Sequence, residues 1–234
     1  FWEKRFWHRA TRIIAMSDAD KKVMQKLDSD LTVDLVPNGV DTEFFSDKRV
    51  KRKTSQKTVL FVGNFKWLQN REAVSILVKD VWPKIKEKLP NTKLWIVGKI
   101  PTKEILGFAS KSIRVSQDID DIRQTYTQGD VLLAPIYGPG GTRFKILESM
   151  ATGLPVVTTS TGIEGLGARS GNEVLTGEHA SDLAKETIRV LTDAKLYKNL
   201  AQRGRRLVEK RFSWRHIAQT LDHIYEEAVH DQQN

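Results

Sequence analysis

The chain has 234 residues, of which 39% are hydrophobic, so it is long enough to bury a core in one large domain or in one domain plus a fragment. No run approaches the roughly 18 apolar residues of a membrane-spanning helix, and the amino end mixes charge with aromatics where a signal peptide would be apolar. The absence of cysteine excludes disulfides and thiolate metal sites, and it suits a reducing, cytoplasmic compartment.

The net charge of +9 at pH 7 favours acidic partners of three classes: nucleic acid, anionic lipid headgroups and phosphorylated small molecules. Charge alone does not choose among them. The densest basic runs, "DKRVKRKTSQK" and "QRGRRLVEKR", are more typical of a solvated linker and a solvated helix face than of a dedicated binding patch.

The first 45 residues predict one strand-helix-strand passage. "RIIAMS" is typical of a strand, "SDAD" of a helix N-cap followed by acids in the first turn, and "TVDLVPNGV" of a strand that ends in a turn. We expect residues 1–45 to be the tail end of another domain. Residues 46–57 are basic and polar, which predicts a linker.

From Thr58 onward, short apolar runs alternate with amphipathic stretches. The apolar runs are "TVLFVGNF", "KLWIVGK", "SIRVS", "VLLAPI" and "PVVTTS", the last followed by "NEVLTG". This rhythm predicts an α/β fold, a Rossmann-like doubly wound parallel sheet with right-handed crossovers. Three helices are predicted to close the chain, at 179–194, 195–211 and 213–230, the last with Ser213 as its N-cap.

Two predicted strand ends carry glycine, and ligands of such sheets bind beyond the carboxyl ends of the strands. In "LFVGNFKW" the strand ends in Gly63, which allows a tight turn and a close approach of the backbone to a ligand. Asn64 and Lys66 follow at once. A simple strand-to-helix turn explains this glycine equally well.

The second strand end is more informative. After "VLLAPI" the loop "YGPGG" leads to a helix predicted to begin near Thr142, so the N–H groups of Gly140, Gly141 and Thr142 can point at one anion. Lys145 lies one turn inside the helix and suits a phosphate. Glu148 lies three residues further on, and its carboxylate can accept both hydrogen bonds of a ribose diol. Together these residues describe a nucleotide site.

A plainer interpretation stays open at this point: Lys145 and Glu148 can be an ordinary surface pair, and the glycines a flexible turn. The pattern is neither the P-loop, which needs Gly-Lys-Ser/Thr, nor the GxGxxG of dinucleotide enzymes.

Several segments resemble, in order and spacing, the carboxyl-terminal half of retaining GT-B glycosyltransferases, and most closely the large family often labelled glycosyl transferases group 1. They are "VPNGVDTEFF", "TVLFVGNFKWLQNREA", "TKLWIVGK", "VLLAPIYGPGGTRFKILESMATGLPVVTTSTGIEGL" and the terminal "RFSW". The resemblance covers essentially the whole chain, and "KILESMATGLPVV" is its most specific block.

The resemblance implies a donor domain for a nucleoside-diphosphate sugar. By analogy with the family, Glu148 would bind the ribose hydroxyls, while Lys145 and the amides of the glycine loop would hold the diphosphate and the donor sugar. Ile119, in "VSQDIDD", would lie against the base. No cofactor and no metal are expected, because the lysine and the helix terminus neutralise the leaving diphosphate.

The chain departs from the family pattern near the donor sugar. Gly140 stands where the family usually has a second glutamate, and Asn64 and Gln69 stand where it usually has an arginine and a lysine. Lys66 or Arg143 are the candidate substitutes. These departures leave the donor sugar unidentified, and no catalytic residue can be named.

The resemblance also implies a domain assignment. Residues 1–45 would be the end of the amino-terminal acceptor-side domain and the crossover, 46–57 a linker, 58–212 the donor domain, and 213–234 a helix crossing back towards the amino-terminal domain. Because most of the acceptor domain would be missing, we expect the chain alone to be weak or inactive in transfer.

Two alternatives to the glycosyltransferase hypothesis are a non-catalytic nucleotide- or anion-binding Rossmann module and a basic nucleic-acid-binding protein. The resemblance implies that nucleic acid is not a partner. A cytoplasmic location is expected, and peripheral contact with an anionic inner membrane face stays open.

Overall fold

The computed structural model describes residues 2–46, 56–138 and 143–233. They form two compact units. One unit combines the residues up to Val40 with those from Lys210 onward, and the other is Asp41–Glu209. The predicted linker at 46–57 lies largely outside the described residues.

The smaller unit contains the predicted strand-helix-strand passage. Strand β1 (Ile13–Ala15) pairs in parallel with β2 (Val33–Leu35), and helix α2 (Asp18–Leu27) connects them. The Ser17 hydroxyl caps α2 by accepting a hydrogen bond from the backbone N–H of Asp20, as the sequence predicts. A short helix, α1 (Trp2–Trp7), precedes β1 and was not predicted.

The final helix, α10 (Trp214–Gln233), packs within the same unit. Ser213 precedes it and accepts a hydrogen bond from the His216 N–H at 3.3 Å, which confirms the predicted N-cap. The apolar contact joins Val36 to Ile217 and Ile224, all three buried. Charged contacts add to this, because the Arg12 guanidinium reaches carboxylates on both β2 and α10: Asp34, Glu227 and Asp231.

The larger unit is built on a six-stranded parallel sheet, as predicted. Its strands are β3 (Thr58–Asn64), β4 (Lys93–Lys99), β5 (Ile113–Ser116), β6 (Val131–Ala134), β7 (Val156–Thr158) and β8 (Leu175–Thr176). Their order is β5-β4-β3-β6-β7-β8, so the chain winds outward from β3 in one direction and then returns to add β6 on its other side. The β3/β6 boundary is therefore the topological switch point, where doubly wound sheets bind ligands.

Helices cover the two faces of this sheet. They are α3 (Leu68–Ile76), α4 (Trp82–Lys88), α5 (Lys103–Gly107), α6 (Ile122–Gln128), α7 (Phe144–Ala151), α8 (Ala180–Thr192) and α9 (Ala194–Arg211). The central strands are buried throughout: Val59, Leu60 and Phe61 of β3 and Leu132 and Leu133 of β6 have no exposed surface. Burial on both faces explains why these strands are continuous apolar runs in the sequence.

One helix prediction needs correction. The stretch from Arg71 to Leu89 predicts one helix, but a π-helical segment, Leu77–Val81, separates α3 from α4. Pro83 has no N–H and cannot continue the α-helical ladder, and the wider turn occurs just before it. Helix α7 begins at Phe144, within two residues of the start predicted near Thr142, which itself lies outside the described residues.

Candidate functional site

A cleft of about 1100 Å³ opens at the carboxyl ends of β3 and β6, at the switch point, and is walled by residues of the larger unit. Six of the residues predicted from the sequence line it: Gly63, Asn64, Ile119, Arg143, Lys145 and Glu148. Lys66 does not line the cleft, and its side chain is exposed to solvent. Gly140, Gly141 and Thr142 fall outside the described residues, so the predicted amide cradle is not described.

Two glycines let the backbone at the carboxyl ends of β3 and β4 come close to its neighbours. Gly63 and Gly98 lie opposite each other at the ends of β3 and β4, and a Cβ atom on Gly98 would lie 1.7 Å from the Gly63 carbonyl oxygen. A Cβ on Gly63 would lie 3.0 Å from Cγ of Asn70. The close strand pairing and the position of Asn70 therefore both depend on glycine at these positions.

Lys145 lies in the first turn of α7 with its ammonium inside the cleft wall. Its Nζ donates a hydrogen bond to Oδ1 of Asn70 at 2.6 Å and lies 4.5 Å from the centre of the Phe61 ring. Burial, and secondarily the nearby Arg143 charge, lower the pKa of Lys145 to about 7, against a weaker opposing effect of Glu148. The ammonium is thus held in place, but neighbouring groups do not fully offset the cost of burying its charge.

Glu148 lies one turn further along α7 and is fixed by a different partner. The hydroxyl of Tyr126, a fully buried side chain of α6, donates to Glu148 Oε2 at 2.6 Å. The ring of Phe45 packs edge-on against Tyr126, with 5.9 Å between centroids. Burial raises the pKa of Glu148, while the Tyr126 hydrogen bond and the Lys145 charge oppose that rise. Burial, and secondarily the same carboxylate, raise the pKa of Tyr126.

These contacts exclude the plainer interpretation of an ordinary surface pair. Lys145 and Glu148 are both half-buried, and each is held by its own partner from another helix. Both side chains face the same cleft. Such an arrangement presents a cation and a hydrogen-bond acceptor to one ligand.

Arg143, directly before α7, is bonded to two backbone carbonyl groups from other parts of the larger unit. Its guanidinium donates to the carbonyl oxygens of Gly138 at 3.1 Å and Thr161 at 3.3 Å. Burial lowers the pKa of Arg143, and the Glu164 charge opposes this effect. The guanidinium nevertheless keeps its charge, so Arg143 adds positive potential beside Lys145.

The opposite wall comes from the loop before α6. Ile119 lies there, after Asp118, whose φ of 51° is in the left-handed region that aspartate tolerates better than most residues. Arg123 stacks on the Phe44 ring at 4.2 Å and makes a paired hydrogen bond to Asp121. The apolar side chain of Ile119 thus lies in a wall whose polar residue Asp121 is bonded to Arg123.

Asn70 and Tyr126, the two residues that orient Lys145 and Glu148, were not predicted from the sequence. The aromatic residues on the cleft were not predicted either: Phe44, Trp67, Tyr137 and Phe144. Asn70 follows a strand end that was singled out, so its position in the first turn of α3 was a usable signal. Tyr126 had none, because 22 residues separate it from Glu148.

The described residues offer neither a metal-binding cluster nor a membrane-spanning helix. Between residues 2 and 233, outside the gaps at 47–55 and 139–142, no three His, Asp or Glu side chains cluster closely enough to hold a metal ion. Every helix described is too short or too polar to cross a bilayer. Metal independence and location stay predictions.

Comparison with known proteins gives concordant results. Residues 56–193, more than half of the chain, match the family described as Glycosyl transferases group 1. A phosphatidyl-myo-inositol mannosyltransferase of Mycobacterium tuberculosis (strain CDC 1551 / Oshkosh) is 29% identical over 227 residues, covering 91% of this chain and 58% of that protein. The chain thus spans well under two thirds of this relative.

Solved structures share the fold. Sucrose-phosphate synthase from Thermosynechococcus elongatus has a TM-score of 0.77 at 21% identity, covering 97% of this chain and 60% of that one. Anabaena HepE, solved in complex with UDP and glucose, has a TM-score of 0.71 at 15% identity, covering 94% of this chain and 64% of that one.

Proposed function

We infer that this chain, which belongs to the glycosyl transferases group 1 family, is the donor-binding half of a glycosyltransferase and holds a nucleoside-diphosphate sugar in the cleft at the β3/β6 switch point. The observation that carries this proposal is the pair of independently fixed side chains, Lys145 and Glu148, on one wall of one cleft. UDP in the HepE structure supports the same ligand class.

The two side chains suit different parts of the ligand. The Lys145 ammonium, reinforced by Arg143, would attract the diphosphate, and the incoming charge would raise the pKa of Lys145 again. The Glu148 carboxylate, with Oε2 already bonded to Tyr126, would accept hydrogen bonds from the ribose diol. Ile119 would lie against the base.

The proposed reaction is transfer of the glycosyl group with retained configuration. Negative charge grows on the β-phosphate as the anomeric bond breaks, so cations at that phosphate stabilise the transition state more than the ground state. Lys145 would supply such a cation. We propose that the amides of Gly141 and Thr142 act with it, without a metal ion.

Acceptor binding would belong to the part of the relatives that this chain does not match. The mannosyltransferase relative is named for a phosphatidyl-myo-inositol substrate, which supports a saccharide or lipid-linked acceptor for the complete protein. The domain assignment made from the sequence, and contact with an anionic membrane during transfer to a lipid-linked acceptor, remain proposals of the same kind.

A calorimetric panel tests the binding proposal directly. UDP, GDP, ADP and their sugars are titrated into this chain and into Glu148→Ala. At least one ligand should bind, and the substitution should weaken it by about 1–3 kcal/mol through lost charged hydrogen bonds. Glu87→Ala, which removes an exposed carboxylate paired with Lys88, is the matched control. Equal affinities for the Glu148→Ala variant and the parent chain would refute the site.

A transfer assay tests the enzymatic part of the proposal. The chain alone should turn over a nucleotide-sugar slowly or not at all, and addition of an acceptor-side half from a relative should raise the rate. Efficient transfer by the chain alone would refute the half-enzyme proposal. Binding without transfer in the complemented mixture would instead favour a non-catalytic nucleotide-binding module.

A further inference from the structure

Asn70 bridges β3 and α7, the helix that follows β6, at the switch point. Its Nδ2 donates a hydrogen bond to the backbone carbonyl of Asn64, at the end of β3, at 2.8 Å. Its Oδ1 accepts the hydrogen bond from Lys145 Nζ, on the helix that follows β6, at 2.6 Å. One carboxamide therefore links the end of β3 to the first turn of α7.

These two bonds fix the orientation of the amide, because a carbonyl acceptor demands the NH₂ group and an ammonium donor demands the oxygen. The backbone also places Asn70 firmly, since its N–H donates to the Trp67 carbonyl at the start of α3. Gly63 leaves the space, as a Cβ there would lie 3.2 Å from Oδ1 of Asn70. The acceptor therefore faces Lys145 in a defined position.

Because the acceptor on Asn70 is uncharged, it affects the Lys145 ammonium differently from a carboxylate. A carboxylate at the same place would fix the ammonium equally well, but it would cancel the charge and repel a phosphate. A carboxamide fixes the ammonium and leaves its charge available. It also offsets part of the cost of burying that charge, which a lysine without an acceptor would bear in full.

We propose that Asn70 is a positioning residue for the diphosphate of the ligand, because its uncharged amide holds the Lys145 ammonium at the β3/β6 switch point without neutralising it. The identity of that ligand rests on the proposed function above.

Other charged groups act on the same ammonium and must stay unchanged in a test. Arg143 opposes its protonation and Glu148 favours it, with the Tyr126 hydroxyl bonded to Glu148. Further charged residues of the cleft wall are Glu72, Lys99, Asp118, Asp120 and Asp121. Substitutions at Asn70 leave all of these in place.

The first test uses the free protein and needs no nucleotide. The rate at which an amine-acylating reagent modifies Lys145 is followed by mass spectrometry from pH 5 to 10, because only the neutral amine reacts. The midpoint for the parent chain is expected near pH 7. Asn70→Asp should raise it by about 1 pH unit or more, and Asn70→Ala should lower it.

Asn91→Asp is the matched control, since it introduces the same change at an exposed residue near the start of β4. It should leave the Lys145 midpoint where it is. Unchanged midpoints in both Asn70 variants would overturn the proposal. Asn70→Asp is isosteric with the parent residue, so it alone provides the test if Asn70→Ala does not fold. A residue that only stabilised the fold would change the melting temperature without moving this midpoint.

The second test measures the consequence for binding, with inorganic pyrophosphate as the probe. At pH 6, where Lys145 is protonated, each Asn70 variant should bind pyrophosphate about tenfold more weakly than the parent chain. Equal pyrophosphate affinities would overturn the diphosphate role. If the midpoints and the pyrophosphate affinity change as expected and no nucleoside diphosphate binds, the proposed function fails while the positioning role stands.

Discussion

Two side-chain pairs, Tyr126 with Glu148 and Asn70 with Lys145, give the cleft its chemistry at the scale of single residues. Glu148 and Lys145 line the cleft and are half-buried, and in each pair the partner fixes the orientation of that side chain with a hydrogen bond of 2.6 Å. Burial disfavours the charged forms of both cleft residues. A ligand that supplies opposite charge and hydrogen-bond donors would relieve both penalties.

Tyr126→Phe should weaken nucleoside diphosphate binding about tenfold and leave pyrophosphate binding nearly unchanged. The substitution removes the hydroxyl that orients Glu148, while Lys145 keeps its own partner. Calorimetric titration with the two ligands gives the comparison. Tyr225→Phe, at an exposed tyrosine of α10, is the control. An equal loss for both ligands would show that the substitution loosens the cleft as a whole.

Lys145→Met should abolish diphosphate binding and stabilise the free protein. The pKa of Lys145 is about 7 in the folded chain and near 10.5 when unfolded, so the unfolded state binds more protons between these pH values. The penalty is therefore complete below pH 7 and vanishes as the pH rises towards 10. Because the side chain keeps some contact with solvent, we expect a gain of only about 1–2 kcal/mol at pH 6.

Urea unfolding at pH 6 and pH 9 measures this difference. The stabilising effect of Lys145→Met should be larger at pH 6 than at pH 9. A gain that is independent of pH, or a loss at both values, would contradict a buried, incompletely compensated ammonium.

At the scale of elements, β3 and β4 pair closely at their carboxyl ends, where Gly63 and Gly98 line the cleft. Gly98→Ala should destabilise the chain by about 3 kcal/mol or more, because the added Cβ collides with the Gly63 backbone, which cannot move aside easily. Gly107→Ala is the control, since nothing lies within 4 Å of a Cβ there, and this helical position should be neutral or slightly stabilised.

Denaturant unfolding of the two alanine variants gives the comparison. Similar free energies of unfolding for Gly98→Ala and Gly107→Ala would show that β3 and β4 can separate at their ends without cost.

The sequence predicts the elements better than the contacts between them. Strands β3, β4 and β6 are continuous apolar runs because they are buried on both faces, and the Ser17 and Ser213 caps are local signals. The bonds that orient the site are different, since 75 residues separate Asn70 from Lys145. Only the strand order brings these two residues together, and no local pattern encodes it.

At the scale of the whole molecule, the net charge of +9 must be reconciled with a site for a small ligand. A nucleic-acid-binding protein would use that charge over a broad surface and lose affinity steeply with salt. The cleft instead presents a few fixed groups, including a carboxylate that would repel a phosphate backbone.

Salt dependence therefore separates the two uses of the charge. Between 50 and 200 mM salt, binding of the preferred nucleoside diphosphate should weaken only a few-fold, whereas any binding to duplex DNA should fall by a factor on the order of 10³ or more. Filter binding and calorimetry in the same buffers measure both. If no nucleoside diphosphate binds, while DNA binds with an affinity that falls steeply with salt and is indifferent to Glu148→Ala, the nucleic-acid hypothesis is favoured.

The most direct test of the nucleotide site compares a ribose ligand with its 2′,3′-dideoxy analogue in the parent chain and in Glu148→Ala. With the nucleoside diphosphate that binds most tightly in the panel, the parent chain should prefer the ribose form by about tenfold or more, and Glu148→Ala should lose that preference. The account is contradicted if the parent chain does not distinguish the two ligands, or if the Glu148→Ala variant distinguishes them equally well.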